Sequence, residues 1–338
     1  MASTMQAWQL SAPGPVDKTL TLAKDVPRPS EQQLKNAQIL VKVAYAALNP
    51  ADYRFPELGF VSRALISYPT SLGMDLSGRV VAIADDVEDV KVGQLVMAHI
   101  NAFGSQGALS EYVVVEREGY STLSEKVDLK QAAGAPVAAM TAYQTIAPHV
   151  KKGDKIFING GSGGVGTFGI QIAKLLGCHV TVTCSTNKVN LCKKLGADEI
   201  IDYKKCDVIE ELEDAGERFT LVVDNVGDSP PNLFNECHKF LLPENKGYIF
   251  VGGHVGSVAS LLKAQFFPKF LGGTTTKFTV FFTPDSRGAM TQISSWMAEE
   301  KLRTVIDSEY SFEEVPKALE HLKKGSSGGK VVIRVGEV

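Results

Sequence analysis

The sequence predicts an α/β protein in which a compact all-β barrel precedes a doubly wound parallel sheet. Three observations predict it. Residues 155–176 (KIFINGGSGGVGTFGIQIAKLL) read as a short buried strand, a glycine turn and a helix, and Gly161, Gly163 and Gly166 spell G-x-G-x-x-G. Strand and helix patterns then alternate as far as residue 282, as a parallel sheet with crossover helices requires. Ahead of them, short strands punctuated by proline and glycine fill residues 38–115, the pattern of a barrel. At 338 residues the chain exceeds one ordinary hydrophobic core. The expected division is residues 1–129, residues 130–283, and residues 284–338 returning to the first part.

In the barrel, residues 38–48 (QILVKVAYAAL) alternate like a half-buried strand, and residues 78–83, 93–98 and 108–115 supply further strands. Residues 53–68 (YRFPELGFVSRALISY) form a long connection rich in aromatic and aliphatic side chains. Such a stretch is either core or a pocket wall, and core is the simpler expectation. Residues 130–146 are alanine-rich and read as helix around Pro136.

In the sheet, strands are expected at residues 179–184, 199–203, 221–225, 248–251 and 278–282, with helices at 189–195 and 231–241. A helix over 287–302 and a last strand over 330–335 complete the chain. The strand within residues 277–282 (KFTVFF) belongs at the sheet edge, where two copies of the chain could pair to give a homodimer.

Composition narrows the function. Hydrophobic residues at 44% and charged residues at 22% describe a folded globular chain. A net charge of −3 offers no electrostatic footprint for nucleic acid or an anionic membrane. No apolar run reaches the ~20 residues of a membrane span, and the N-terminus resembles neither a secretory signal nor an arginine-rich transit peptide. The five cysteines are odd in number, crowded into one half and without a C-x-x-C pair, which fits free thiols in the reducing cytoplasm.

The glycine loop carries the first site. Gly161 allows the tight turn, Gly163 lets backbone approach a pyrophosphate, and Gly166 lets the helix pack close to its strand. The helix N-terminus offers free N–H groups to the phosphates. Residues 183–188 (TCSTNK) lack the carboxylate that holds a ribose diol, and a carboxylate would repel a 2′-phosphate. Ser185 and Lys188, with Tyr203 ending the next strand, suit that phosphate and point to NADPH. Their plainer reading is a helix cap and a solvated charge.

These motifs together resemble the medium-chain dehydrogenase/reductase superfamily: a GroES-like barrel, a Rossmann domain and a C-terminal return, over nearly the whole chain. Zinc alcohol dehydrogenases of that superfamily carry cysteine where this chain has Asn49, and Gly-His-Glu where it has Gly73-Met74-Asp75. Their third ligand has no counterpart in residues 132–143, no cysteine precedes Cys178, and His99 matches no ligand position. A catalytic zinc needs three protein ligands, so the resemblance implies zinc-independent chemistry and no metal site.

The pattern Asn49-Pro50-x-Asp52, Thr141-Ala142-Tyr143, Ser162 to Gly166, Leu195 to Asp198 and Gly329 to Val332 is similar to the quinone oxidoreductases, including chloroplast-envelope homologues and enone (alkenal) reductases. Fungal trans-acting enoyl reductases share most of it. The resemblance implies that Ser162, Gly163, Gly164 and Val165 meet the pyrophosphate, and that Ser185, Lys188 and Tyr203 meet the 2′-phosphate. It puts Thr141 and Asn225 near the nicotinamide, with Gly252 and Lys330 flanking the groove. It also implies hydride transfer to a small apolar enone or quinone, with Asn49, Asp52, Tyr53 and Tyr143 as the catalytic candidates. On the residues alone, Asn-Pro is a turn and Asp52 a helix N-cap. The alternatives are a trans-acting enoyl reductase of a polyketide pathway, and a non-catalytic NADPH-binding protein of the same fold.

Overall fold

The computed structural model describes residues 4–101, 103–216, 218–227, 229–242, 247–253, 267, 276 and 278–338. The chain forms two compact units: Met1–Met140 with Asp285–Val338, and Thr141–Pro284.

The first unit contains β1 (Thr4–Leu10), β2 (Leu20–Pro27), β3 (Gln38–Leu48), β4 (Thr70–Ser71), β5 (Asp75–Ile83), β6 (Leu95–His99), β7 (Tyr112–Glu116) and β8 (Tyr120–Thr122). The C-terminal segment adds β15 (Ile306–Ser311) and β16 (Lys330–Arg334). Eleven-residue β3 is the spine, with β5, β7 and β16 all antiparallel to it. Its Ile39, Val41, Val43, Ala46 and Leu48 are buried with Leu76, Val96, Val113, Val331 and Ile333 in one core. Gly78 marks the tightest approach, because a Cβ there would lie 2.1 Å from the Lys42 carbonyl oxygen. The last strand therefore returns to the barrel as expected. Its register sets Val331 opposite Leu48, while β5 sets Asp75 opposite Ala47, so both neighbours bring polar residues to the end of β3.

The helices of this unit are short. They include α1 (Val16–Thr19), α2 (Pro50–Arg54) and α3 (Leu129–Ala133), and α4 (Pro136–Ile146) begins here. Pro136 opens α4, where a missing N–H costs nothing. Helix Arg287–Ala298 starts on a Ser286 cap that accepts from Ala289 N–H. It stops short of the expected residue 302 because Glu300 adopts a left-handed φ of 57°.

The core expectation for residues 53–68 holds only in part: Ile66 is buried and Tyr53 and Tyr68 pack against the core. The segment folds as the end of α2 and a 3₁₀ stretch, Pro56–Ala64, that leaves Phe60 83% and Val61 66% exposed. Apolar composition alone cannot distinguish burial from an apolar surface. Phe55, Pro56 and Ile66 do line a small open depression, so the pocket-wall reading holds for those three.

The second unit holds β9 (Lys155–Asn159), β10 (His179–Cys184), β11 (Glu199–Asp202), β12 (Leu221–Asp224), β13 (Gly247–Phe250) and β14 (Phe278–Val280). They form one parallel sheet in the order β11-β10-β9-β12-β13-β14, the doubly wound arrangement with its reversal beside β9. Helices α5 (Gly164–Leu175), α6 (Val189–Leu195), α7 (Val208–Asp214) and α8 (Leu233–Glu236) belong to it. The helix expected over 231–241 is only α8 and a 3₁₀ turn, Cys237–Lys239. Strand β14 lies at the sheet edge, and Lys277 falls outside the described residues. Among the described residues no helix is long and apolar enough to cross a membrane.

Candidate functional site

The candidate nucleotide site of the second unit rests on β9, β10 and β12. Strand β9 ends at Asn159, and the chain turns through Gly160 at a φ of 82°. Thr183 of β10 holds the turn, its hydroxyl accepting Gly160 N–H and its carbonyl accepting Gly161 N–H, both at 2.8 Å. The three glycines differ in the space around them. A Cβ on Gly161 would lie 2.6 Å from Val182 Cβ, and one on Gly166 would lie 2.1 Å from Gly160 O, so both positions exclude side chains. A Cβ on Gly163 would meet only Gly160 O at 3.6 Å, so this glycine keeps the mouth of the cradle open. Helix α5 starts there with no side-chain cap on its first N–H groups. Ser162, Gly163, Gly164 and Val165 are each partly exposed, while Gly166 to Ala173 behind them are buried.

Sequence reasoning missed the brace beneath the loop. Asp224 Oδ1 accepts from Asn159 Nδ2 at 2.8 Å and from the N–H groups of Val226 and Gly227 at 3.0 and 2.9 Å. Its Oδ2 accepts the Tyr248 hydroxyl at 2.6 Å, and burial together with the Asp224 charge holds that phenol well above its ordinary range. This buried carboxylate shapes the turn that carries Asn225. Gly252 touches the same turn, since a Cβ there would lie 1.9 Å from Asn225 O. The polar atoms of the half-buried Asn225 side chain are buried, and among the described residues neither Nδ2 nor Oδ1 has a hydrogen-bond partner. Such an amide is costly unless a polar ligand completes it. The open cradle, the uncapped helix and this orphaned amide all fit a dinucleotide.

The ends of β10 and β11 gather Ser185, Lys188 and Tyr203. Ser185 Oγ donates to Asn187 Oδ1 at 2.6 Å, Lys188 closes the turn Thr186–Lys188, and Tyr203 N–H bonds Cys184 O at 3.2 Å with the ring 45% exposed. A carboxylate does come close, from β11 rather than β10: Asp202 pairs in register with Cys184. Burial pushes its carboxyl up, but hydrogen bonds from Thr186 and Lys204 N–H and the Lys205 charge hold it below the usual range. On α4, the Thr141 hydroxyl meets that of Thr283, and Tyr143 is half-buried.

The first unit brings Asn49, Asp52 and Lys330 together with Asp75. Asn49 caps α2, whose Asp52 returns to accept Asn49 N–H at 2.6 Å. Lys330 Nζ lies 2.6 Å from Asn49 Oδ1 and 3.1 Å from Asp75 Oδ2, with Asn49 Nδ2 at 2.8 Å from the same Asp75 oxygen. Asp75 Oδ1 accepts Val137 N–H at 2.9 Å, which ties the start of α4 to the cluster. All four side chains are buried. Burial pushes the Asp52 carboxyl up to about 7, the Asp75 charge adds to this, and Asn49 N–H, Lys330 and His99 oppose it. Asp52 also lines the open depression with Met74 and Leu72. Tyr53 is half-buried against the core, under the Lys323 ammonium. Asp75 was legible only as the acid standing in Gly73-Met74-Asp75. Among the described residues no group of three or more His, Cys, Asp or Glu side chains could hold a metal ion.

Comparison with known proteins agrees with this architecture. Residues 35–125 match the alcohol dehydrogenase GroES-like domain, and residues 195–333 match the zinc-binding dehydrogenase family. The chain is 39% identical to the trans-enoyl reductase pgmF of Aspergillus terreus over 350 residues, covering 99% of this chain and 97% of that protein. It is 32% identical to the human mitochondrial NAD(P)H oxidoreductase RTN4IP1, over 88% of this chain and 82% of that one. The solved quinone oxidoreductase of Coxiella burnetii superposes with a TM-score of 0.83 at 30% identity, covering 98% of this chain and 99% of that one. With a GroES-like unit, a nicotinamide-nucleotide unit of Rossmann type and relatives of this kind along almost its full length, the chain belongs to the quinone oxidoreductase-like family of the medium-chain dehydrogenase/reductases, a family of oxidoreductases.

Proposed function

We propose that the protein transfers hydride from NADPH to the conjugated system of an enone or quinone without a metal ion. The observation that carries this reading is the Asn49–Asp75–Lys330 cluster. Neither Asn49 nor Met74 is a zinc-ligating type, and the buried group at this place is an amide held between a cation and a carboxylate. Reduction of an isolated ketone concentrates charge on one oxygen, which favours a Lewis acid. Conjugate addition spreads that charge, so hydrogen-bond donors suffice.

The bound nicotinamide supplies the hydride. The chain's own residues do the rest. Ser162, Gly163, Gly164 and Val165 cradle the pyrophosphate with backbone N–H groups. Ser185, Lys188 and Tyr203 hold the 2′-phosphate, which selects NADPH, and Asn225 and Thr141 orient the nicotinamide end. The Asn49 amide donates to the acceptor's carbonyl oxygen, with Tyr53 and Tyr143 as further hydroxyl donors. Asp52, neutral at low pH and titrating near 7, is placed to hold or pass a proton.

The 39% identity to a trans-enoyl reductase favours one form of the reading, in which the acceptor is an enoyl group. The test is NADPH consumption against quinones, short enals, long-chain enones and saturated ketones, with chelator present and products identified. Conjugated acceptors should dominate kcat/KM and chelator should change nothing. A better saturated ketone, or activity lost to chelator, contradicts the reading. No turnover with any acceptor assigns the chain to the non-catalytic nucleotide binders.

A further inference from the structure

Asn49 and Asp75 are 26 positions apart, and Lys330 is 281 positions from Asn49. The antiparallel return of β16 onto β3 brings them together. Their contacts close a ring: Lys330 Nζ donates to Asn49 Oδ1, Asn49 Nδ2 donates to Asp75 Oδ2, and Lys330 Nζ donates to that same oxygen. Asp75 is 0% exposed, Lys330 3% and Asn49 5%.

A buried ion pair is a poor device for stability. Desolvation consumes several kcal/mol per ion, and a well-packed apolar group of equal volume serves the core as well or better. The ring does something an apolar group cannot. An asparagine amide has two orientations related by a flip, and this ring permits one. Flipped, the NH₂ would face the ammonium and the oxygen would face the carboxylate, and both contacts repel. In the orientation present, one Nδ2 hydrogen is spent on Asp75, and among the described residues no group takes the other. The ammonium on Oδ1 also withdraws electron density through the amide, which makes that remaining N–H a stronger donor.

We propose that Lys330 and Asp75 are positioning residues that lock the Asn49 amide so that its second N–H meets the oxygen of the conjugated acceptor. The inference rests on the reductase reading above. Lys330 acts through Asn49, and its contribution belongs to the chemical step rather than to cofactor binding.

The test compares Asn49→Ala, Lys330→Met and the double variant, assayed with a conjugated enone at saturating NADPH. Each single change should lower kcat by about 100-fold, the size of losing one preorganised donor, and leave the KM for NADPH within about twofold. The double variant should be no slower than the slower single, because both remove one donor. Lys330→Met also strands Asp75 as an unpaired buried charge. The charge-balanced Lys330→Met/Asp75→Asn variant is therefore measured beside it, and it should show the same loss in kcat with the fold kept.

A second measurement needs no turnover. The Asn49 side-chain amide, identified in an ¹H–¹⁵N spectrum by its absence in Asn49→Ala, should be protected from solvent exchange in the wild type and unprotected in the charge-balanced variant. Losses that multiply, a raised KM for NADPH, or an unchanged kcat in the charge-balanced variant would each overturn the inference. If the wild type reduces no enone or quinone, the reductase reading fails, and the amide spectrum still decides whether Lys330 and Asp75 order Asn49.

Discussion

Replacing Asp52 by asparagine tests the electrostatics of the barrel cluster directly. The carboxyl is 4% exposed, and Asp75 adds like charge, so burial lifts it from 3.8 to about 7. Its folded-state value lies above its unfolded one, so the folded chain holds a proton that the unfolded chain has released between those values. The associated stability is fully present below about pH 4 and is lost as pH rises through 7. At about 1.4 kcal/mol per pH unit, the loss across that window is roughly 4 kcal/mol. Asparagine keeps an oxygen that can accept Asn49 N–H and carries no charge at any pH. Asp52→Asn should therefore stabilise the protein by only about 1 kcal/mol at pH 4.5 and by roughly 4 kcal/mol at pH 8. Denaturant unfolding of both proteins at the two pH values measures this. A wild-type-minus-variant difference that does not change with pH would refute the account of Asp52. The same variant should lose activity, since an acid that costs stability at neutral pH is otherwise hard to explain.

Three further outcomes are expected. Lys188→Ala should raise the KM for NADPH by about 10- to 100-fold, the worth of one charge-assisted hydrogen bond, and leave that for NADH nearly unchanged at fixed ionic strength; equal losses would remove Lys188 from the phosphate site. Asn225→Ala deletes an amide that has no partner among the described residues, so it should weaken cofactor binding by about tenfold without destabilising the free protein; calorimetric titration and thermal melts decide it. Edge strand β14, followed by Phe282 at 74% exposure, should pair with a second copy; a monomer in sedimentation at micromolar concentration would contradict that.

The sheet was legible because its signals are local. Gly161, Gly163 and Gly166 work within one turn, and the βα alternation follows from the length and spacing of apolar runs. The barrel strands were legible for the same reason, and residues 330–335 were correctly read as a return to the barrel. Three features were not legible. Phe60 and Val61 look like core because composition carries no direction, yet the 3₁₀ stretch turns them outward. The ring of Asn49, Asp75 and Lys330 depends on the β-register of β3 with β5 and with β16 from the far end of the chain, which no local pattern encodes. Sequence reasoning treated Lys330 as a flank of the cofactor groove, and the structure places its ammonium on Asn49 and Asp75. Asp224, which braces the loop carrying Asn225, was read only as part of a strand over residues 221–225.

The most direct test of the central claim is the fate of the hydride. NADPH carrying deuterium at the transferred position of nicotinamide C4 is incubated with the protein and a conjugated enone, and the product is examined by NMR. Conjugate reduction predicts a saturated ketone with deuterium on the carbon β to the carbonyl. Deuterium on the carbonyl carbon of an allylic alcohol would contradict the account.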